Sequence, residues 1–249
     1  MITPHPKKYK ILLIGDTCID IYQFGTVDRI SPEAPVPVFK FAYEERKPGM
    51  AGNVANNLRA LGCTVDLLHG ECSHKIRLID IHSKQHIVRI DEDSTSIPIL
   101  SDTIISPIYD AIVISDYNKG TVSYELIEDL RIRFNGPIFV DTKKTDLARL
   151  EGCVVKINSL EYSLLKTFCT DLIITTGKTG ARYKDVIYPA TSVTEVADLC
   201  GAGDTFLAAL VYQYLIQNSI EGSIPYAIRA AGITVQHLGV YAPTVSELE

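Results

Sequence analysis

From residue 110 onward one phrase recurs: a short run that is apolar throughout, then a stretch with helical spacing. The apolar runs are Ala111–Ile114, Pro137–Val140, Val154–Ile157 and Leu172–Thr175. After the first of them, Val122, Leu126, Ile127, Leu130 and Phe134 recur at the interval of one helical face. Strands that are apolar on both faces need cover on both, which a parallel sheet sandwiched between helices supplies. The predicted fold class is therefore α/β, a three-layer sandwich with a mostly parallel central sheet. Tyr9–Ile14, ending at Gly15-Asp16, reads as its buried first strand, and Val65–Leu68 as a second. Gly49 to Leu61 reads as a glycine-rich turn feeding a helix that Gly62 caps. Ala181–Tyr183 and Val186–Tyr188 read as a hairpin. Two closing helices are expected, from Ala202 to about Gln217 and from Pro225 to about Leu238.

Two segments do not follow the rhythm. Lys75–His82 and Gln85–Asp91, joined through Ser83-Lys84, alternate polar and apolar residues, as a hairpin with one wet face does. Val36–Phe41 carries prolines that suit an edge strand. Together they predict a small β appendage beside the main sheet.

Composition narrows the function classes. With 249 residues the chain can bury a sizeable core, and its net charge of -6 offers no concentrated basic surface for nucleic acid. No apolar run approaches the roughly 20 residues that span a bilayer. Met1 to Lys10 carries no apolar stretch of signal-peptide length. Six cysteines, Cys18, Cys63, Cys72, Cys153, Cys169 and Cys200, are scattered with no C-x-x-C pair, which suits a reduced, cytoplasmic protein. Cys72, His74, His82 and His86 could be grouped as a zinc site, but the histidines lie in or beside a strand pattern, and the bland reading is preferred.

The most informative stretch is Asp198-Leu199-Cys200-Gly201-Ala202-Gly203-Asp204-Thr205-Phe206, directly before an apolar helix. Small residues let the backbone turn tightly and present its N–H groups. The helix N-terminus adds roughly half a positive charge at the same place. Together they suit a transferring phosphoryl group. Asp204 at the mouth could accept a proton from an attacking hydroxyl. The same residues also describe an ordinary capped helix start, and the motif alone leaves both readings open.

Gly-Ala-Gly-Asp following an Asp near the end of an α/β chain resembles the ribokinase-like (PfkB) carbohydrate kinases. A second signature stands upstream as Pro48-Gly49-Met50-Ala51-Gly52-Asn53-Val54-Ala55-Asn56-Asn57. Gly15-Asp16-Thr17-Cys18-Ile19-Asp20, then Arg29 to Val38, is similar to the kinase part of the heptose 7-phosphate kinases, as are Ser115–Gly120 and Val140–Lys143. The resemblance runs from about residue 10 to about 245.

It implies a single ribokinase-like kinase domain over 1–249, with lid segments at about 21–43 and 75–93. The reaction would be transfer of the γ-phosphoryl group of ATP, with Mg2+, to a small sugar or sugar phosphate, at O1 of a heptose 7-phosphate. Asp204 would be the catalytic base and Gly201, Ala202 and Gly203 the anion hole. Asp16, Asp20, Gly49, Asn53, Lys119 and Asp141 would meet the sugar. Asn158, Glu161, Thr176, Gly177 and Gly180 would serve ATP and magnesium, with no direct protein cage for the metal. Asn158 and Glu161 also fit a plain helix cap, and both roles are compatible. Lys119, Lys143 and Arg77 or Arg89 could meet the substrate's own phosphate. The lid would exclude water and pair with a second copy as a homodimer; no nucleic acid or membrane partner is expected.

The chain also departs from the family. Gly70-Glu71-Cys72-Ser73 runs almost directly into the hairpin, where relatives carry further strand–helix structure. Leu238–Ala242 lacks the small and hydroxyl residues usual beside adenine. There is no His-x-Gly-His of a nucleotidyltransferase domain. These differences keep two alternatives in play: a kinase for another sugar, and a nucleotide- or sugar-binding relative without turnover. A dinucleotide-dependent dehydrogenase is disfavoured, because the first strand ends in Gly-Asp and not in G-x-G-x-x-G.

Overall fold

The computed structural model describes residues 8–100, 108–191 and 195–249. Among them are ten strands: β1 (Lys10–Ile30), β2 (Pro37–Met50), β3 (Thr64–Asp80), β4 (His86–Glu92), β5 (Ala111–Asp116), β6 (Ile138–Thr142), β7 (Val154–Asn158), β8 (Leu172–Thr175), β9 (Ala181–Tyr183) and β10 (Val186–Tyr188). The helices are α1 (Ala51–Ala60), α2 (Tyr124–Arg133), α3 (Ser159–Ser163), α4 (Ala202–Gln217), α5 (Ile220–Thr234) and α6 (Val245–Leu248). The strands form one sheet in the order β10-β9-β8-β7-β6-β5-β1-β3-β4, with β2 added to β1. Its centre, from β8 to β3, is parallel; β9, β10, β4 and β2 are antiparallel additions.

Alternation along the central strands separates two cores. Ile11, Leu13, Val113 and Phe139 pack towards α1, α4 and α5, whereas Leu12, Ile14, Ile112, Ile114 and Val140 pack towards α2. The result is the three-layer α/β arrangement that the apolar runs predict. In α4, Leu207, Leu210 and Val211 are fully buried, and each such side chain contributes roughly 1.5–3 kcal/mol of apolar transfer free energy.

Three expectations are corrected. The first strand does not stop at Gly15-Asp16 but continues to Ile30, because Asp16 turns its buried carboxylate to a neighbouring loop and the chain does not turn there. The second strand and the first arm of the hairpin are one strand, β3. It pairs with β1 from Lys10↔Thr64 to Gly25↔Asp80 with a single register shift at Gly15/Thr17. The appendage is thus the outward half of β1 and β3, flanked by β2 and β4, and is continuous with the central sheet. The last long helix begins at Ile220, not Pro225: the Ser219 hydroxyl caps it by accepting the Gly222 N–H at 3.0 Å, and Pro225 lies inside.

At Gly15 β1 lies close against both β5 and the start of α1. A Cβ there would overlap the Ser115 carbonyl oxygen of β5 and stand 3.0 Å from the Ala51 side chain. Neither neighbour can swing away, one being backbone and the other a helix start. Gly15→Ala is therefore expected to cost about 3 kcal/mol, the upper range of overpacking. A fall in the urea midpoint with an unchanged slope would register it.

Candidate active site

The carboxyl ends of the parallel strands converge on the N-terminus of α4, where α/β sheets commonly bind ligands. A pocket of about 140 Å³ opens there, lined among others by Tyr117, Asp141, Lys143, Lys156, Glu161 and Asp204.

Gly201 caps α4 with φ 78 and contributes no side-chain hydrogen bond. A side chain at Gly201 would strike the Asn53 amide, its Cβ lying 2.7 Å from Nδ2. The first N–H groups of the helix have no partners within it, and the lining by Gly201 and Gly203 turns this end of α4 to the cavity. At Gly203 a Cβ would lie 3.0 Å from the Lys156 ammonium. A glycine-built helix start and a buried lysine thus share one anion-receptive corner.

Asp204 follows immediately and is 5% exposed. Its Oδ2 accepts the Asn53 amide N–H at 2.8 Å, and its Oδ1 accepts the Tyr117 phenol at 2.9 Å. Burial is the main reason its pKa rises to about 6; Asp141 adds to the rise, while Asn53, Lys156 and Tyr117 oppose it. A carboxylate poised there is largely ionised at neutral pH, yet basic enough to take a proton.

Behind Asn53 the polar chain continues. Asn57 donates to the Asn53 carbonyl oxygen at 2.9 Å, the Thr205 hydroxyl donates to Asn57 Oδ1 at 2.9 Å, and Thr234 donates to Thr205 at 3.0 Å. These buried bonds fix α1, α4 and α5 relative to one another.

Lys156 on β7 pairs with Asp141 on β6 at 2.6 Å. Burial pulls the lysine down, but Asp141, Asp204 and Glu161 more than offset it, so the ammonium is held protonated. Asn158 and Glu161 make a reciprocal cap at the start of α3, with bonds of 2.9 and 2.8 Å. The other oxygen of Glu161 meets Lys143 at 3.2 Å.

The remaining predicted residues fall into four places. Asp20 sits under the appendage, paired with Arg77 at 2.5 Å, and Gly49 is packed so closely that any Cβ would overlap the Asp20 carboxylate. Asp16 is buried and accepts backbone N–H groups from Tyr117, Lys119 and Thr121. Lys119 points outward to Asp93 at 2.5 Å, and Arg89 to Asp91. Thr176, Gly177 and Gly180 form the tight turn after β8, with the Thr176 N–H on the Gly180 carbonyl oxygen at 2.8 Å; this turn lies outside the pocket lining.

Lys156, Tyr117 and Asp116 line the pocket but were not singled out by sequence reasoning. A lysine inside the apolar run Val154–Ile157 is itself a signal, since a buried cation requires a partner. Among the described residues no three His, Cys, Asp or Glu side chains are grouped to hold a metal ion, and no helix is long and apolar enough to cross a membrane.

Residues 154–247 match the pfkB family carbohydrate kinases. The chain is 33% identical to the bifunctional protein HldE of Nitratiruptor sp. across 97% of its own length and 64% of that protein. It is 32% identical to that of Sulfurimonas denitrificans, over 96% and 63%. It therefore spans a little under two thirds of these relatives. The first alignment extends over 300 positions against the chain's own 249 residues, so stretches of the relative have no counterpart here. Solved structures share the fold, two of them as follows. Phosphofructokinase-2 from Escherichia coli has a TM-score of 0.72 at 15% identity, with 97% of both chains covered. Ribokinase from Arabidopsis thaliana, solved with ribose and ATP, has a TM-score of 0.71 at 14% identity, covering 97% of this chain and 98% of that one.

Proposed function

The chain belongs to the pfkB family of carbohydrate kinases, and from that premise we propose that it transfers the γ-phosphoryl group of ATP to a hydroxyl of a sugar phosphate, with O1 of a heptose 7-phosphate as acceptor. The observation that carries this reading is Asp204, a buried carboxylate at a glycine-built helix N-terminus beside a buried lysine. Asp204 takes the proton of the attacking hydroxyl. The first N–H groups of α4 and the Lys156 ammonium receive the charge of the transferring group. Asn158 and Glu161, fixed by their mutual cap, present oxygen atoms suited to water-mediated contact with magnesium. Magnesium bound with the nucleotide supplies further charge neutralisation. Asp20 and Gly49 face the sugar, and Lys143, which lines the pocket beside Glu161, meets its phosphate. The turn at Thr176–Gly180 borders the nucleotide.

The outer halves of β1 and β3 with β2 and β4 act as the lid that keeps water from the phosphoryl group. Its exposed Ile30, Phe41, Val88 and Ile90 suit pairing with a second copy. The acceptor in this reading is intracellular, which places the protein in the cytoplasm.

A second reading, a kinase for another small sugar, is favoured by one observation: the alignment with the Nitratiruptor relative extends over 300 positions against the 249 residues here, so this chain lacks stretches of that relative. ADP release with magnesium-ATP against a panel of sugars and sugar 7-, 6- and 1-phosphates tests both. Stimulation by a heptose 7-phosphate is expected, with an acidic limb near pH 6 as Asp204 ionises. Stimulation by a different sugar replaces the substrate. Bound ATP with no stimulated turnover overturns the kinase reading.

A further inference from the structure

Asp16 was expected at the sugar; its geometry directs attention to the loop after β5. Both of its oxygens are engaged by that loop: Oδ2 accepts the N–H of Tyr117 at 2.8 Å and of Lys119 at 3.1 Å, and Oδ1 that of Thr121 at 3.3 Å. Asp116 holds the same loop from the other side, accepting the Asn118 N–H at 2.9 Å while bound by Thr142 at 2.6 Å and Lys144 at 3.2 Å. Asn118 and Gly120 both have positive φ, so the loop is tightly wound. Two buried carboxylates thus fix five residues whose one side chain lining the pocket is Tyr117.

We propose that Tyr117 is the positioning residue of the base: pinned by Asp16, its phenol holds Oδ1 of Asp204 and, with Asn53 on Oδ2, keeps the carboxylate ionised and aimed into the pocket. The inference rests on the reading of Asp204 as a base. Its physical content is that a buried carboxylate held by two donors is favoured in its charged form. The phenol stays protonated and so can donate to the carboxylate: burial, then the charges of Asp204 and Asp141, push its pKa well above the ordinary tyrosine range. Lys75 and Lys143 face its ring, with ammonium groups 5.8 and 5.2 Å from the centroid. The other groups facing Asp204 are Asn53 from α1, Cys18 from β1, Asp141 from β6 and Lys156 from β7. None of these is altered when the phenol oxygen alone is removed.

Tyr117→Phe is the test, read in two ways. In protein carrying 13C at the aspartate carboxyl carbons, the Asp204 resonance is identified by its loss in Asp204→Asn. Its midpoint in Tyr117→Phe is expected about one to two pH units above that of the unaltered protein, the size of a hydrogen bond to a charged group. In the kinase assay the acidic limb of kcat should move up with it, so that activity lost several-fold near pH 6.5 returns at alkaline pH. An unmoved Asp204 titration, or a loss of kcat equal at all pH values, would overturn the proposal. The carboxyl titration needs no turnover, so absence of kinase activity in the unaltered protein would sink the reading of function and leave the phenol–carboxylate pairing to be judged by its own result.

Discussion

Asp204→Asn is expected to lower kcat roughly 100- to 10,000-fold, the usual worth of a general base, and at the same time to make the protein more stable at neutral pH. The two effects share one cause. Burial raises the Asp204 pKa from 3.8 to about 6, so the fold prefers the neutral acid. The corresponding stabilisation is fully present below the unfolded value and is lost as pH rises through the folded value. At pH 7 the ionised carboxylate therefore costs on the order of 3 kcal/mol relative to a neutral group. An asparagine removes that cost: its amide oxygen can still accept the Asn53 N–H, and its NH2 can donate to the Tyr117 phenol oxygen, which turns from donor to acceptor. Urea unfolding at pH 4 and pH 7.5 should show the variant gaining stability at the higher pH and little at the lower. Nucleotide binding, measured directly, should persist. If the variant is instead destabilised, and its activity falls only as its folded fraction falls, Asp204 is a structural carboxylate and not a base.

The parts of this picture that local sequence carries were legible, and the parts set by distant contacts were not. The βα rhythm beyond residue 110 needs only apolar periodicity, and it placed β5 to β8 and both ends of α4. The Gly-Ala-Gly-Asp turn is contiguous, so its anion-receptive chemistry could be read from nine residues. Gly15-Asp16 misled because a glycine followed by an aspartate usually signals a turn. Here the glycine makes room for the Ser115 carbonyl, and the aspartate serves a loop about a hundred residues away. The continuity of β3 was hidden for a similar reason: His69 to Ser73 carries no strand pattern of its own and becomes strand because β1 lies alongside it. Lys119 and Arg89 read as candidate phosphate ligands, yet each is turned to a nearby carboxylate, Asp93 and Asp91. Which way a long cationic side chain swings is decided by neighbours that spacing does not reveal.

The second large effect concerns Lys156. Its ammonium is buried against Asp141 at 2.6 Å and borders Gly203 at the head of α4. Removing one partner of a buried pair leaves an uncompensated charge, so Lys156→Met is expected to cost about 3–5 kcal/mol of stability. Turnover should also fall, roughly 100- to 1,000-fold, as when a preorganised donor to a developing charge is lost. Stability and catalysis separate in the double variant Lys156→Met with Asp141→Asn. With the charge of its direct partner Asp141 removed as well, the urea midpoint should return most of the way, because a methionine of similar volume packs where the lysine stem lay. Turnover should stay low, since no cation then stands at the glycine turn to receive the transferring group. Recovery of both would reduce Lys156 to a structural counter-ion of Asp141 and leave the anion-receiving role to the α4 backbone alone. Recovery of stability without turnover would place its charge in the reaction itself.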